Sequence, residues 1–428
     1  MYEKIQVDAL ARVEGEGGLY IALDGDSISE LRLDIYEPPR FFEGFLQGRY
    51  LQEVPDITAR ICGICPVAYQ MSSVYALENA VGAKITPSIR KLRRLLYCGE
   101  YIESHALHIY MLQAPDLLGH ESALSLAAVA PDVVKTALRL KKIGNEILRT
   151  IGGRSVHPVS SCVGGFYRFP KVEKLKDLLP DLRWGLEASK ETARWAITLP
   201  YPEMDVDYEF VALTLPDEYA VIGGDVLSSK TGTIPVEEFL SVYPEKHIRH
   251  SNALHSSNAS GDPYLVGPLA RLNLNHEKLS PQAKAIVEEL KLEFPITNPY
   301  KALIARAVEL VQSYELAIEI VENYAPEGKS HVELDLKVGQ GYAATEAPRG
   351  LLYHDYEVDE KGFIKTAHII PPTAQNLARV EEDLRQLIPQ VIDKEHAEAT
   401  LDCEHLIRSY DPCISCATHF LTLDIERK

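Results

Sequence analysis

RICGIC at residues 60–65 and DPCISC at 411–416 place four of the seven cysteines in two Cys-x-x-Cys pairs near opposite ends of the chain. Two cysteines three apart in a turn can aim both sulfurs at one centre, and thiolates are soft, anionic ligands. Cys62/Cys65 and Cys413/Cys416 therefore predict a single four-thiolate metal site that closes the fold around one ion. Spacing alone leaves the metal open between zinc and an iron-sulfur cluster. A lone Cys-x-x-Cys also serves as a zinc knuckle or a redox dithiol. A zinc ribbon would be local, however, whereas these pairs are separated by most of the chain. Cys98, Cys162 and Cys403 stand outside any such pair and are expected as buried thiols.

Composition narrows the class. The 428 residues are 46% hydrophobic and 25% charged, ordinary globular values that argue against extended disorder. A formal charge of -18 disfavours nucleic acid, because phosphate binding needs clustered Lys and Arg. No apolar run is long enough to span a membrane, and MYEKIQVDALARVEG lacks the basic-then-apolar pattern of a secretory signal. An odd cysteine count fits a reducing compartment, so a cytoplasmic location is expected.

Hydrophobic period gives a helix-rich α+β fold. Residues 20–23 and 30–35 alternate apolar and polar around Asp24-Gly25-Asp26 and predict a small sheet. From Pro87, Ile89, Leu92, Leu96, Ile102, Ala106, Ile109 and Leu112 share one face and predict a long helix that Pro115 stops. A second runs from Pro131 to Ile151, with Gly152-Gly153 as its end. Further helices are expected after Ser280-Pro281, after Asn298-Pro299 and over 374–392, and strands over 332–336 and 350–353. No linker cuts the chain. The expectation is one unit: an N-terminal β region (1–86) with the first cysteine pair, long helices (87–200), an irregular segment with helices (201–330), and a β region, helix and second pair (331–428).

ARVEG at 11–15, GGRSVHP at 152–158, TNPYKALIARAVELV at 297–311 and EAPRG at 346–350 accompany RICGIC and DPCISCATH, from near the first residue to near the last. In combination these motifs closely resemble the large subunit of nickel-iron hydrogenases. The resemblance implies a bundle of long helices with peripheral sheets and the metal between loops at its centre. It also implies nickel bound by Cys62, Cys65, Cys413 and Cys416. Cys65 and Cys416 would bridge to an iron that carries two cyanides and one carbon monoxide. Such a site splits H2 heterolytically, with the proton going to sulfur or a nearby base.

Residue by residue, Glu14 matches the glutamate that relays a proton from the thiolate at Cys413, if burial raises its pKa. Arg349 matches the arginine over the open metal position, Asp116 and Asp411 the carboxylates that flank it, and Thr373 the residue that hydrogen-bonds a cyanide. Pro348 would line the same pocket. Glu43 and His419, with a backbone carbonyl near Ile369, match the protein ligands of a magnesium. Tyr69 replaces a histidine common four residues after the second cysteine, and RVEGE stands where RxEGH is common. RICGICPVAYQ looks most like the cytoplasmic bidirectional branch, nicotinamide-coupled or sulfhydrogenase-type.

The implied partners are an iron-sulfur small subunit, then a flavin- and NAD(P)-binding diaphorase with further iron-sulfur subunits. The chain itself has no other cysteine cluster and no GxGxxG after a strand. Residues 420–428 continue past the histidine at which large subunits of the family are typically cut, which implies a maturation protease. Exported hydrogenases carry their signal on the other subunit, so location is not fixed by this chain's start. Two other classes remain: a metal-free complex I-type quinone-site subunit, which generally lacks the cysteines, and a zinc-stabilised scaffold.

Overall fold

In the computed structural model, residues 4–25 and 27–419 are described. Near the start, β1 (Lys4–Val7), β2 (Gly17–Asp24) and β3 (Ser27–Ile35) form an antiparallel sheet in that order. Its alternation is the predicted one: Leu19, Ile21, Leu31, Leu33 and Ile35 face inward. The N-terminal region is not all β, however. Helix α1 (Pro66–Val81) follows the first cysteine pair directly, with Cys65 as its N-cap and Pro66 in its first turn. Nearly every side chain of α1 is buried, so it shows no amphipathic stripe from which periodicity could reveal it.

Helix α2 (Pro87–Leu107) opens as predicted, with the Thr86 hydroxyl accepting from Ile89 N at 3.3 Å. Pro115 does not stop it. The chain continues through a π-helical turn, His108–Gln113, into a last α-turn, Ala114–Leu117. Pro115 lies at the start of that last turn, where a missing N–H costs little. Helix α3 (Pro131–Gly152) packs so closely on α2 that a Cβ at Gly144 would lie 2.6 Å from Gly99 O. Helices α4 (Leu179–Ala196) and α5 (Ala302–Glu322) complete the layer, and α5 is buried all round for most of its length.

The region between α4 and α5 carries short strands, Val211–Thr214, Asp225–Ser228 and Gly232–Ile234, in one small sheet. Val211, Leu213, Val226, Phe239, Tyr243 and Tyr264 give it a core of its own. Beyond α5, residues 332–336 form no strand. Val332, Leu334 and Leu336 lie half-buried on the core, and their alternation is that of a strap without a ladder partner. Pairing resumes in an antiparallel sheet of Gly339–Ala347, Gly350–Val358 and Ile364–Ile370. The predicted strand at 350–353 is thus the start of a longer, almost wholly buried one. Helices α6 (Pro372–Val391) and α7 (His396–Ser409) lead to the second cysteine pair.

Strand Gly339–Ala347 lies directly on α1. A Cβ at Gly341 would overlap the backbone of Ala76 and Ala80, atoms that cannot rotate away. Gly341→Ala should therefore destabilise the protein by about 1–3 kcal/mol, as overpacked cores do. A drop in the thermal unfolding midpoint checks this, and an unchanged midpoint would mean that α1, and Cys65 with it, is free to shift.

Candidate metal centre

The two cysteine loops meet because the chain ends pair. Glu14 and Cys413 form a parallel backbone bridge, with Ile414 N donating to Glu14 O at 2.9 Å. Arg40 joins the other side: one guanidinium nitrogen donates to Ile61 O in the first loop and to Ser415 O in the second. Cys62 follows a single 3₁₀ turn, Ala59–Ile61, and its sulfur accepts from Ile64 N and Cys65 N, both at 3.3 Å. Cys62 Sγ lies 3.6 Å from Cys413 Sγ, and the sulfurs of Cys62, Cys413 and Cys416 are all within 4.8 Å of one another. Cys65 lies outside that mutual spacing, but its thiol is near enough to interact with the other three.

All four are buried free thiols. A hydrogen bond with Cys413, supported by Cys416 and Cys65, holds the Cys62 thiol well below its ordinary range. Burial pushes Cys413 and Cys416 up. Four thiols crowded into one dry pocket thus cannot all ionise alone, whereas a soft cation would replace their protons. The donor set fits a thiolate-bound metal. Cys98, Cys162 and Cys403 are buried and lie outside the cluster, as expected, with burial raising their thiols to about 12, 11 and 12.

Around the sulfurs, Glu14 Oε2 accepts from Cys413 Sγ at 3.0 Å and from Ser415 N at 3.1 Å. Thr373 Oγ1 accepts from Cys413 N at 3.0 Å, which leaves its own proton to donate. Arg349 is buried and donates from Nε to Asp411 O at 2.7 Å and from Nη2 to Asp411 Oδ1 at 2.8 Å. Its Nη1 has no hydrogen-bond partner. Burial opposes the charge of Arg349, but Asp411 and then the sulfurs of Cys413, Cys65 and Cys62 outweigh it and push the pKa up.

Asp116 is the exception. Its carboxylate does not flank Arg349: it takes Arg408 Nε at 2.7 Å, His405 Nε2 at 3.2 Å and Arg12. Burial raises its pKa, but His405 and Arg408 outweigh that and hold it down at about 2. The cause is topological, since the chain beyond the π-turn meets α7, whose His405 and Arg408 present an imidazole and a guanidinium three residues apart. Asp116 therefore braces the segment of Glu14 between β1 and β2 through Arg12, rather than the arginine over the thiols.

Other contributors carry no motif that single-sequence reading can rank. Arg271 donates to Ala347 O at 2.8 Å and Pro348 O at 2.9 Å, fixing the turn that presents Arg349, and it is itself held by Glu309 at 2.6 and 2.8 Å. Tyr69 is buried with no partner for its hydroxyl, and its phenol is raised by burial and by the charges of the four sulfurs.

A second cluster joins Glu43, Ile369 and His419. Ile369 N donates to Glu43 Oε1 at 2.8 Å, His419 Nε2 is 3.9 Å from the same oxygen, and Ile369 O contacts His419 Nε2. A carboxylate oxygen, a carbonyl oxygen and an imidazole nitrogen, all at least half-buried, fit a hard cation. Glu245 lies near enough to Glu43 that burial and this like charge raise its carboxyl to about 8.

Fold and site define the class: a helix-rich metalloprotein subunit whose thiolate centre is completed by both ends of the chain. The sequence profile of nickel-dependent hydrogenases matches residues 40–137 and 253–419, and the chain belongs to that family. The alpha subunits of sulfhydrogenases 1 and 2 of Pyrococcus furiosus are each 34% identical, over 99% and 98% of this chain and 99% and 100% of theirs. The beta subunit of the NAD-reducing hydrogenase HoxS of Cupriavidus necator is 27% identical over 98% of this chain and 96% of its own. Among solved structures, an NAD+-reducing [NiFe]-hydrogenase in the H2-reduced state superposes with a TM-score of 0.87 at 25% identity, covering 98% of this chain and all of that one.

Replacing any one of Cys62, Cys65, Cys413 or Cys416 by Ser should abolish nickel retention and H2 turnover, because a hard hydroxyl does not replace a soft thiolate. The triple variant Cys98→Ala, Cys162→Ala, Cys403→Ala should keep both. Metal analysis and H2-dependent dye reduction on the purified complexes read the difference.

Proposed function

We propose that this chain is the catalytic large subunit of a nickel-iron hydrogenase that interconverts H2 with protons and electrons. The observation that carries the reading is the convergence of four buried thiols from both chain ends, with a carboxylate on one side and an unsatisfied guanidinium on the other. When bound, nickel and an iron bearing two cyanides and one carbon monoxide supply the Lewis-acidic, redox-active pair at which H2 is cleaved. Cys62 and Cys413 would hold nickel as terminal ligands, and Cys65 and Cys416 would bridge to iron.

The chain's own residues handle the proton and the pocket. Glu14 takes a proton from the sulfur of Cys413, 3.0 Å away, and releases it outward, since its side chain is only partly buried. Arg349, oriented by Asp411, has a free Nη1 that would donate to the diatomic ligands and polarise H2, and the Thr373 hydroxyl would donate to a cyanide. Pro348, whose carbonyl accepts from Arg271, would line the same pocket. Glu43, the Ile369 carbonyl and His419 would hold a magnesium, whose binding must displace the contact between His419 and the carbonyl.

Electrons pass to an iron-sulfur small subunit and onward to NAD(P) through a flavin-containing diaphorase. The relation to NAD-reducing and sulfhydrogenase subunits supports this route. No helix among the described residues is long and apolar enough to cross a membrane. Seven free thiols support a reducing, cytoplasmic setting.

Three measurements test this function. Purified complex should contain nickel and iron and show infrared bands of cyanide and carbon monoxide; zinc alone would favour the scaffold reading, and no metal the quinone-site reading. Glu14→Gln should retain nickel and lose H2/D+ exchange by roughly 10²-fold or more, the scale of a lost general acid-base group. Exchange at the unmodified rate would assign the proton to another path. The predicted cleavage site falls at the edge of the described residues, and the segment 420–428 lies outside them. Intact mass of active subunit should end at His419, and retention of Lys428 would remove the protease from the scheme.

A further inference from the structure

We propose that Arg306 is a positioning residue for the metal centre: a second guanidinium on the far side of Asp411 that sets the orientation and net charge of Arg349. This rests on the nickel-iron reading above.

Arg306 lies in the first turns of α5 and is 1% exposed. Burying a guanidinium carries a large desolvation cost that only well-made pairs offset. Arg306 is poorly compensated. Its Nη1 is 3.4 Å from Asp411 Oδ2, beyond good hydrogen-bonding distance, and neither its Nε, its Nη1 nor that Oδ2 has a hydrogen-bond partner. Burial pushes its pKa down to about 10, with Asp411 opposing and Arg349 adding to the shift. A residue whose role was only to hold the fold would be expected to saturate its donors, as Arg271 and Arg93 do more nearly here.

Asp411 is the shared element. Arg349 occupies its Oδ1 and its carbonyl, and Arg306 faces its Oδ2. Arg349 and Asp411 alone are a neutral pair towards the thiolates. Arg306 gives the triad one net positive charge, so the field of Arg349 is no longer cancelled by the carboxylate that orients it. His108 does not compete as a cation, since burial and then Arg306 lower it to about 3.

Packing does not lock the triad. A cavity of about 20 Å³ lies against Arg306, Asn376, Ser409 and Tyr410, and another of about 10 Å³ against Arg349, Thr373, Asn376 and Tyr410. The first has room for one water, which would serve the unsatisfied donors of Arg306. The two hydrogen bonds from Asp411 therefore hold the fork of Arg349 beside these voids, and the charge of Arg306 acts on it through that carboxylate.

The test uses the metal-loaded complex. Arg306→Gln should keep its nickel, shift the infrared cyanide bands and lower kcat by about tenfold, equivalent to about 1.4 kcal/mol of barrier. Arg306→Lys, which restores charge without the fork, should give a smaller band shift in the same direction. In an Arg349→Lys background the shift from Arg306→Gln should largely vanish, because residues acting through one another are not additive. Unchanged bands and kcat in Arg306→Gln, or a shift that adds in full to that of Arg349→Lys, overturn the proposal. If Arg306→Gln does not accumulate, Arg306→Met decides, and wild-type bands in that uncharged variant overturn it. Wild-type complex without cyanide bands would instead refute the nickel-iron reading and this proposal with it.

Discussion

The backbone pairing of Glu14 with Cys413 is the contact on which the metal centre depends. It puts a carboxylate, two cysteine loops and the turn of Asp411 in one place although 399 positions separate the carboxylate from its sulfur partner. Arg40 secures the arrangement by gripping both loops through their carbonyls. Closure entropy grows only slowly with loop length, so joining such distant segments costs little more than joining near ones. The gain is positional: loops tied to each other bring their sulfurs within bonding reach of one ion.

Buried arginines are the second organising element. Arg93, Arg271, Arg306, Arg349 and Arg408 are almost wholly excluded from solvent. Each is paired with carboxylates, and several also reach backbone carbonyls at the edges of the site. Such pairs contribute little to stability against well-packed apolar alternatives, but removing one partner costs about 3–5 kcal/mol. Their value is geometric. Arg271 fixes the turn before Arg349, Asp411 aims its fork, and Arg408 with Asp116 supports the loop that carries Glu14.

Much of this was legible in the sequence, and the exceptions have physical causes. The cysteine pairs, Glu14, Arg349, Thr373 and the trio of Glu43, Ile369 and His419 sit in compact motifs, and the fold places the members of each set near one another. Helix α3 was readable because one face meets water, and α2 because buried polar residues such as Arg93, Glu100, Glu103 and His105 keep the period even where 95–106 are all enclosed. Helix α1, buried on all sides, offered no such period, and the alternation at 332–336 came from a strap that pairs only at its start, where Val332 N donates to Gly164 O. Asp116 was misplaced because its partners, His405 and Arg408, lie almost 300 residues away on a helix that the periodicity did not single out. Arg271 and Arg306 were invisible for the same reason: a lone arginine inside an apolar helix says nothing about which carboxylate waits across the core.

The distance along the chain between Cys62 and Cys413, 351 positions, also dictates an order of events at the ribosome. At ordinary rates of synthesis, about 5–20 residues per second, the first cysteine pair waits roughly 20–70 s before the second exists. For most of that interval α1 lacks even the sheet that covers it, since Gly339–Ala347 and its partner strands are made near the end, and it must stay soluble with an unfinished thiol pocket at its edge. Metal captured by Cys62 and Cys65 alone would be held by half its ligands and easily lost or replaced by a competitor. Nickel delivery is therefore a late event by construction, available only to a chain already long enough to bring its own far end home.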